Sequence, residues 1–492
     1  MRQIYNVLCK SGQIFGIFIA ISAIFSANPG DLRAQTQAEK AVAAVKKFVD
    51  SGKVSNDTII KIMAKEGNIN NIWGNDFEIK DKWEQQTGIL IDARTRQNLP
   101  VLDFISKDKD FDITLARQRE YPDLYTKKYI TDLTPFVKKY GLVLDENSVN
   151  GFFSPKIQSE FDNKIVAIPA DGDIAMLYIR KDLMKDPANK TRFRKKYKRD
   201  LKLPDTWDEY QDLIEFFHNP QKGFYGSCEQ RDPQTGWMFW MPRYASQDYP
   251  NQYLFDDNMH PLVNSRAGIA ATESYLKTIP FSPPKILDKG NHYSYAVPIY
   301  KSGNGFSYML TMAAAKMLNT EPSAVKGKFM ACLFPGTMVR GKLVRRTSYI
   351  YGNNIVVSRI SEHKELAFLF AMWLSAPDIS TQSIMVTSGL ADPFRVNHLR
   401  DRRVWPIYST QALGVLEKQI GIAVPEGTGV PGDFEYIKTL NKNLWAAAKG
   451  ELTAKRAMEK TAEKWEEITE RYGREKQIRY WRAFKKKYPG IN

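Results

Sequence analysis

The stretch Lys164-Ile-Val-Ala-Ile-Pro-Ala-Asp-Gly-Asp-Ile-Ala-Met-Leu-Tyr-Ile-Arg-Lys-Asp-Leu183 decides how the chain is read. Two apolar, β-prone runs, residues 165–168 and 174–179, are joined by the Pro-Ala-Asp-Gly-Asp corner 169–173, which can hold acidic groups where two strands change direction. A strand-like crossing that is polar only at its corner suits a hinge between two lobes.

Several further segments stand in a definite order around it: Leu203-Pro-Asp-Thr-Trp-Asp-Glu-Tyr210, Ser323-Ala-Val-Lys-Gly-Lys328, Phe334-Pro-Gly336, an apolar strand and helix over 351–374, Pro425-Glu426 and Gly450-Glu-Leu-Thr-Ala454. In order and spacing they resemble the family 1 extracellular solute-binding proteins, the maltose-binding-protein-like sugar-binding components of bacterial ABC importers. The resemblance runs from about residue 56 to 472. It implies an α/β protein of the two-lobed periplasmic binding (type II) class, with a hinge of three crossing segments and a ligand cleft between lobes. It also implies residues 57–170 plus 351–394 as the first lobe and 172–347 plus 395–472 as the second, with 473–492 as a basic tail. Partners would be a small-molecule solute and transmembrane permease subunits, with no cofactor.

The first residues agree with export. Arg2 and Lys10 precede an apolar run over 14–25, and Leu32-Arg33-Ala34 ends on a small residue. The run falls short of the roughly 20 residues that span a bilayer. Residues 1–34 therefore read as a signal peptide cleaved after Ala34, against the alternative of an uncleaved anchor, and imply a periplasmic location. Cys9 precedes the apolar run and is misplaced for lipid attachment.

The formal charge is +16, and removing residues 1–34 leaves +14. In an unexported chain such a surplus would raise nucleic acid as a partner; export argues against it. The densest basic run, Lys190 to Lys202, reads as a solvated helix face, with an anion or membrane patch as the alternative. Cys228 and Cys332 remain after cleavage. An oxidising compartment permits a bridge between them, but spacing does not decide it. Five histidines without a His/Cys cluster give no metal site.

Strands over 58–63, 89–93 and 111–115 alternate with a helix over 76–86 closed by Gly88, which predicts βαβ units around a mostly parallel sheet. Ligands of such sheets sit beyond the carboxyl ends of strands. Trp73 and Asp76, after the first strand, and Arg117, after the third, are candidate cleft residues on that ground. Residues 223–253 are rich in aromatics, whose faces stack on sugar rings. Most aromatics of any cluster are core, and Trp237 and Trp240 are the preferred ligand pair. Residues 303–317 suggest a helix after a Gly-rich turn. The resembling family carries a stacking Trp there, where this chain has Tyr308 or Thr311.

By the resemblance, 347–358 is the second crossing, with Tyr351 and Asn353 as candidate contacts, and 391–395 closes the third. There Asp392 and Arg395 either bond vicinal hydroxyls or pair with each other. Asp173 matches the family's acidic hinge contact, while Asp171 is read as a turn stabiliser that also lies at the cleft. Ser361 is expected to cap a helix over 365–374, and 434–448 and 454–472 read as amphipathic core helices.

Two acids at a cleft also suggest an exported glycosidase. Such chemistry needs carboxyls on opposite sides of a bond, about 5 to 9 Å apart, whereas residues two apart in an extended segment point the same way. No G-x-S-x-G, H-E-x-x-H, phosphate loop or Cys/His pair appears. The reading is therefore a monomeric, non-enzymatic carbohydrate-binding protein. An anionic solute, such as a sugar acid or sugar phosphate, is the alternative favoured by the net charge, Arg117 and Arg395. Basic residues concentrated in the cleft rather than outside it would separate the two.

Overall fold

A computed structural model describes residues 35–96, 101–247, 253–288, 293–349 and 352–487. The expected signal peptide, Tyr351 and the last five residues lie outside them. The strands of the two main sheets are numbered here in chain order. The first sheet holds β1 (Ile59–Ala64), β2 (Leu90–Thr95), β3 (Ile113–Ala116) and β8 (Asn354–Val357), in the order β8-β3-β1-β2. β1 runs parallel to both β2 and β3, with Ile59 opposite Leu90 and Ile62 opposite Ile113. Only β8 is antiparallel, with Ile355 opposite Leu115. Parallel strands need covered faces. Here the cover includes the helices Gln37–Asp50, Glu78–Thr87 and Lys364–Leu374, and Trp83 packs against Phe370 and Trp373 at 5.1 and 5.3 Å.

The second sheet contains β4 (Ala175–Arg180), β5 (Tyr225–Ser227), β6 (Gly305–Thr311) and β7 (Phe329–Cys332), in the order β5-β6-β4-β7. β4 pairs antiparallel with β6 and β7, while β5 and β6 are parallel. The helix expected over 303–317 is thus a strand followed by the short helix Ala313–Asn319. The side chains of β6 are buried on both faces except at Leu310, so it has no polar–apolar alternation to betray a strand. The helices Asp433–Ala448 and Ala454–Tyr472 are as expected and bury Leu440, Leu444, Met458 and Trp465. The tail forms a further helix, Arg474–Lys485, that buries Trp481 and Phe484 in the same core.

Three segments link these two lobes. Residues 168 and 174 of the first bridge to Ile355 and Tyr349 of the second, and Phe152 bridges to Arg395 at the end of the third. The approach is close enough to require glycine. A Cβ on Gly172 would stand 2.0 Å from the Pro393 carbonyl oxygen, and one on Gly352, at φ +70°, 2.2 Å from that of Asp171.

Local signals account for other elements. Thr206 and Glu209 form the reciprocal cap that opens the helix Trp207–Phe217. His363, not Ser361, occupies the cap position of the helix Lys364–Leu374; the Ser361 hydroxyl instead accepts from the His363 N–H and donates to Asp112. The basic run lies on and just after the helix Pro187–Tyr197, where Lys196 and Arg199 pair with Glu215 and Asp212 at 2.7 Å and Arg194 pairs with Asp200. It is a solvated face with its own counter-charges. Cys228 and Cys332 are both buried and unbridged.

Candidate functional site

The corner between the two runs of the first crossing presents two aspartates with different surroundings. Asp171, 1% exposed, accepts four hydrogen bonds through its carboxylate. The Gly172 and Asp392 N–H groups donate to Oδ1 at 2.8 and 2.7 Å, and the Asn353 backbone and amide N–H groups donate to Oδ2 at 3.1 and 3.2 Å. One side chain therefore ties all three crossings together. Asp173 takes the left-handed conformation, φ +53°, and faces a cavity. Unusual backbone geometry of this kind is concentrated at ligand sites.

That cavity, about 730 Å³, lies where both sheets meet the crossings. Its size is within the ~300–1,000 Å³ of clefts that enclose a small ligand. The first lobe lines it with the residues that immediately follow three adjacent parallel strands, Lys65 after β1, Arg96 after β2 and Arg117 after β3. Gly67, Asn68 and Asn70, from the helix Glu66–Trp73 that follows Lys65, continue that wall. The second lobe contributes Gln230, Thr235 and Met238, with Leu310 and Thr311 from the end of β6. Asp173 and Asn353 come from the first two crossings, and Leu390 immediately precedes the third. No aromatic side chain lines it among the described residues.

Charge in the cleft is crowded. Burial, then repulsion from Arg117 and Arg96, lowers Lys65 to about 8. Burial also lowers Arg96, which lies over the Phe104 ring. On the acidic side, burial and then Asp171 raise Asp173 to about 7, with Arg117, the Thr311 hydroxyl and Lys65 pulling the other way. Asp392 is fully buried and pushed well above the carboxylate range by burial and by Asp173 and Asp171; Lys316 is its counter-charge. Burial holds Lys316 at about 8, and its ammonium donates to the Ile384 and Ala391 carbonyls. Glu426, also buried, is raised to about 8 by burial against the pull of Arg117 and Arg119. Asp171, Asp173 and Asp392 each bring one oxygen within 4.8 Å of the others, close enough for a cation. Four N–H groups already hold Asp171, and Lys316 supplies positive charge beside it.

Of the residues expected from the sequence, Arg117, Asp173 and Asn353 share the cavity, and Asp171 braces it from behind. The others among the described residues lie elsewhere. Trp73 packs on Phe77 at 5.3 Å beyond the cavity, and Asp76 is exposed there. Trp237 and Trp240 are core. The Trp237 indole N–H donates to Gln234 O, and Trp240 stacks on Tyr244 at 4.8 Å while its N–H donates to Thr272. Tyr308 is buried in β6 and stacked on Tyr300. Asp392 and Arg395 do not pair. Arg395, lowered to about 9 by burial, bonds to Ser375 O, Asn150 O and Gln37 Oε1 and lies over the Phe152 ring. Lys65 and Arg96 were not among the expected residues; the signal that finds them is the first position after each parallel strand.

The family model for the bacterial extracellular solute-binding proteins matches residues 95–380. No curated protein matches by sequence. Among solved structures, an Agrobacterium radiobacter K84 transporter solute-binding protein in complex with ribitol is 16% identical, with 84% of this chain and 100% of that chain covered and a TM-score of 0.68. Maltose-bound MalE3 of T. maritima is 18% identical over the same shares, also with a TM-score of 0.68. A solute-binding protein of Agrobacterium vitis S4 with bound D-mannitol is 16% identical, covering 85% and 99%, with a TM-score of 0.64. At these identities the likeness is one of fold. The family and these structures are binding proteins.

Proposed function

This chain belongs to the bacterial extracellular solute-binding protein family, and we propose that it captures a carbohydrate in the periplasm and delivers it to the permease of an ABC importer. The observation that carries this reading is the cavity at the three crossings, lined from both lobes and floored by Asp173. Asp173 and Asn353 are suited to sugar hydroxyls, because a carboxylate accepts from two and an amide both donates and accepts. The matched proteins hold ribitol, maltose and mannitol, which makes polyols and short saccharides the first ligands to try.

Capture proceeds by closure. The solute contacts both lobes, and only the closed form makes all of those contacts, so binding shifts the population towards closure. In this reading the first lobe comprises residues 57–170 with 351–394, and the second 172–347 with 395–472. In this reading the protein acts as a monomer and binds its solute without transforming it. Residues 1–34 serve as the export signal.

A thermal-shift screen of the purified protein against polyols, mono- and oligosaccharides, sugar acids and sugar phosphates tests this. A ligand at 100 times its Kd adds about 2.7 kcal/mol to the folded state. At least one class should shift the melting temperature, with a smaller radius of gyration in solution scattering. No shift with any of them would overturn the carbohydrate reading.

A further inference from the structure

The basic groups of the first-lobe wall are the feature that a neutral sugar does not explain. β2, β1 and β3 are neighbours in one parallel sheet, so the residues just past their carboxyl ends lie side by side. All three are cationic, Arg96, Lys65 and Arg117, and all three line the cavity. Like charges placed together cost free energy, and burial adds to that cost.

The rest of the molecule shows how this chain treats an arginine used for structure. Arg231 and Arg243, both fully buried, share the Glu229 carboxylate, with Arg243 at 2.5 Å. Arg119, two residues beyond Arg117, stands 3.6 Å from Asp433. Arg395 is satisfied by carbonyl and amide oxygens. Lys65 and Arg117 form no salt bridge among the described residues. The lining offers Asp173 and the exposed Glu66 as acids against the three cations, while outside it Glu120 attracts Lys65 and Arg96, and Glu426 attracts Arg117. The helix Glu66–Trp73 also begins at Lys65 with no side chain capping its first turn, which adds positive potential on the same wall.

The opposite wall is neutral, with Gln230, Thr235, Met238 and Leu310. Nor does the described lining provide an aromatic face on which a sugar ring could stack. Recognition in this cleft therefore rests on charge and hydrogen bonds.

Building on the carbohydrate-binding reading above, we infer that the solute is an anionic carbohydrate whose carboxylate or phosphate group is held by Lys65, Arg96 and Arg117, while Asp173 and Asn353 take its hydroxyls. The guanidinium groups present paired N–H donors that match either oxyanion, and Lys65 adds a point charge. The anion adds ion pairs to Lys65 and Arg117, which form no salt bridge among the described residues, so binding should also raise the melting temperature.

The test is calorimetric titration of the purified protein with matched pairs: D-glucose and D-glucuronate, D-galactose and D-galacturonate, D-glucose and glucose 6-phosphate, with inorganic phosphate alone as a separate arm. At least one anionic member should bind at least 100-fold more tightly than its neutral partner and weaken as salt is raised. Uronates binding identifies the carboxylate, and sugar phosphates binding identifies the phosphate. Lys65→Gln and Arg117→Gln should each weaken that binding 10- to 100-fold, and Arg117→Lys less, with circular dichroism melting showing each variant folded.

Neutral sugars binding as tightly as their acids, or either Gln variant binding the acid unchanged, would overturn the anionic assignment and leave the carbohydrate reading standing. Inorganic phosphate binding as tightly as the sugar phosphate would make the site one for a free oxyanion and overturn the sugar class. A polyol or maltose binding with no anionic probe bound would overturn the anionic assignment alone, and failure of every probe here together with the thermal-shift screen would overturn both readings.

Discussion

The helix Trp237–Ala245 and the carboxyl edge of the first sheet are built from opposite materials. The helix is aromatic, every one of its side chains is buried, both of its indole N–H groups are hydrogen-bonded, and Met238 alone of its residues lines the cavity. The sheet edge is polar and cationic and opens onto the cavity. Aromatic density looks like a sugar platform in sequence, yet here it does the work of packing. The residues that meet solvent in the cleft are placed there by where strands stop. Chemistry that suits a ligand is common; position relative to a strand end is what makes it available.

Removing the Trp240 side chain is expected to have the largest effect. Trp240→Ala empties a fully buried volume and breaks the stack on Tyr244, so it should cost about 3 to 5 kcal/mol of stability. Affinity of the protein that still folds should be unchanged. Lost affinity at preserved stability would break the comparison by placing Trp240 on the ligand surface.

Asp171→Ala comes next. It leaves four N–H donors on three crossings, two of them buried and two partly buried, without their acceptor. Roughly 2 to 4 kcal/mol should be lost in chemical denaturation. Because those donors belong to different crossings, the open–closed equilibrium should shift as well, visible in solution scattering without ligand.

Asp173→Asn sharpens the comparison from the side of the cavity. A carboxyl titrating at about 7 in the folded chain and near 3.9 in the unfolded one favours the unfolded state once ionised. Its contribution is neutral at low pH. It becomes increasingly destabilising as pH rises from about 4 to about 7 and stays constant above. The variant should therefore gain melting temperature over the native protein at pH 8 and little at pH 4. It should also bind solute less tightly, by about 1 to 3 kcal/mol, through lost charge-assisted hydrogen bonds. Equal affinity at every pH would remove Asp173 from the contact set.

Much of the fold could be read from the chain because local signals agreed with tertiary demands. The runs at residues 58–63, 89–93 and 111–115 became β1, β2 and β3 with ends shifted by a residue or two. The break at Gly88 fell where such a residue places it. β6 was hidden because a central strand buried on both faces carries no alternation. The site was legible in Arg117, Asp173 and Asn353, whose neighbours fix them at a strand end or a crossing. Lys65 and Arg96 were missed for want of register, since a residue follows a strand only once the strand's last pair is known. Ala64 opposite Thr95 is that pair, and it puts Lys65 and Arg96 side by side. Trp73 and Asp76 came from the same rule applied a helix too far along.

That last point yields the smallest expected effect. Asp76 is exposed, outside the cavity, and held at φ +49° between two helices. Asp76→Ala removes no described ion pair, so its cost should stay within about 0.5 kcal/mol, contributed by the backbone geometry. Asp76→Gly should recover that cost, since glycine takes positive φ freely. Neither should alter solute affinity. If Asp76→Ala did weaken binding while Asp76→Gly restored stability alone, the ligand surface would extend past the strand ends to the far end of the helix Glu66–Trp73. The edge of the sheet would then be only the near half of the site.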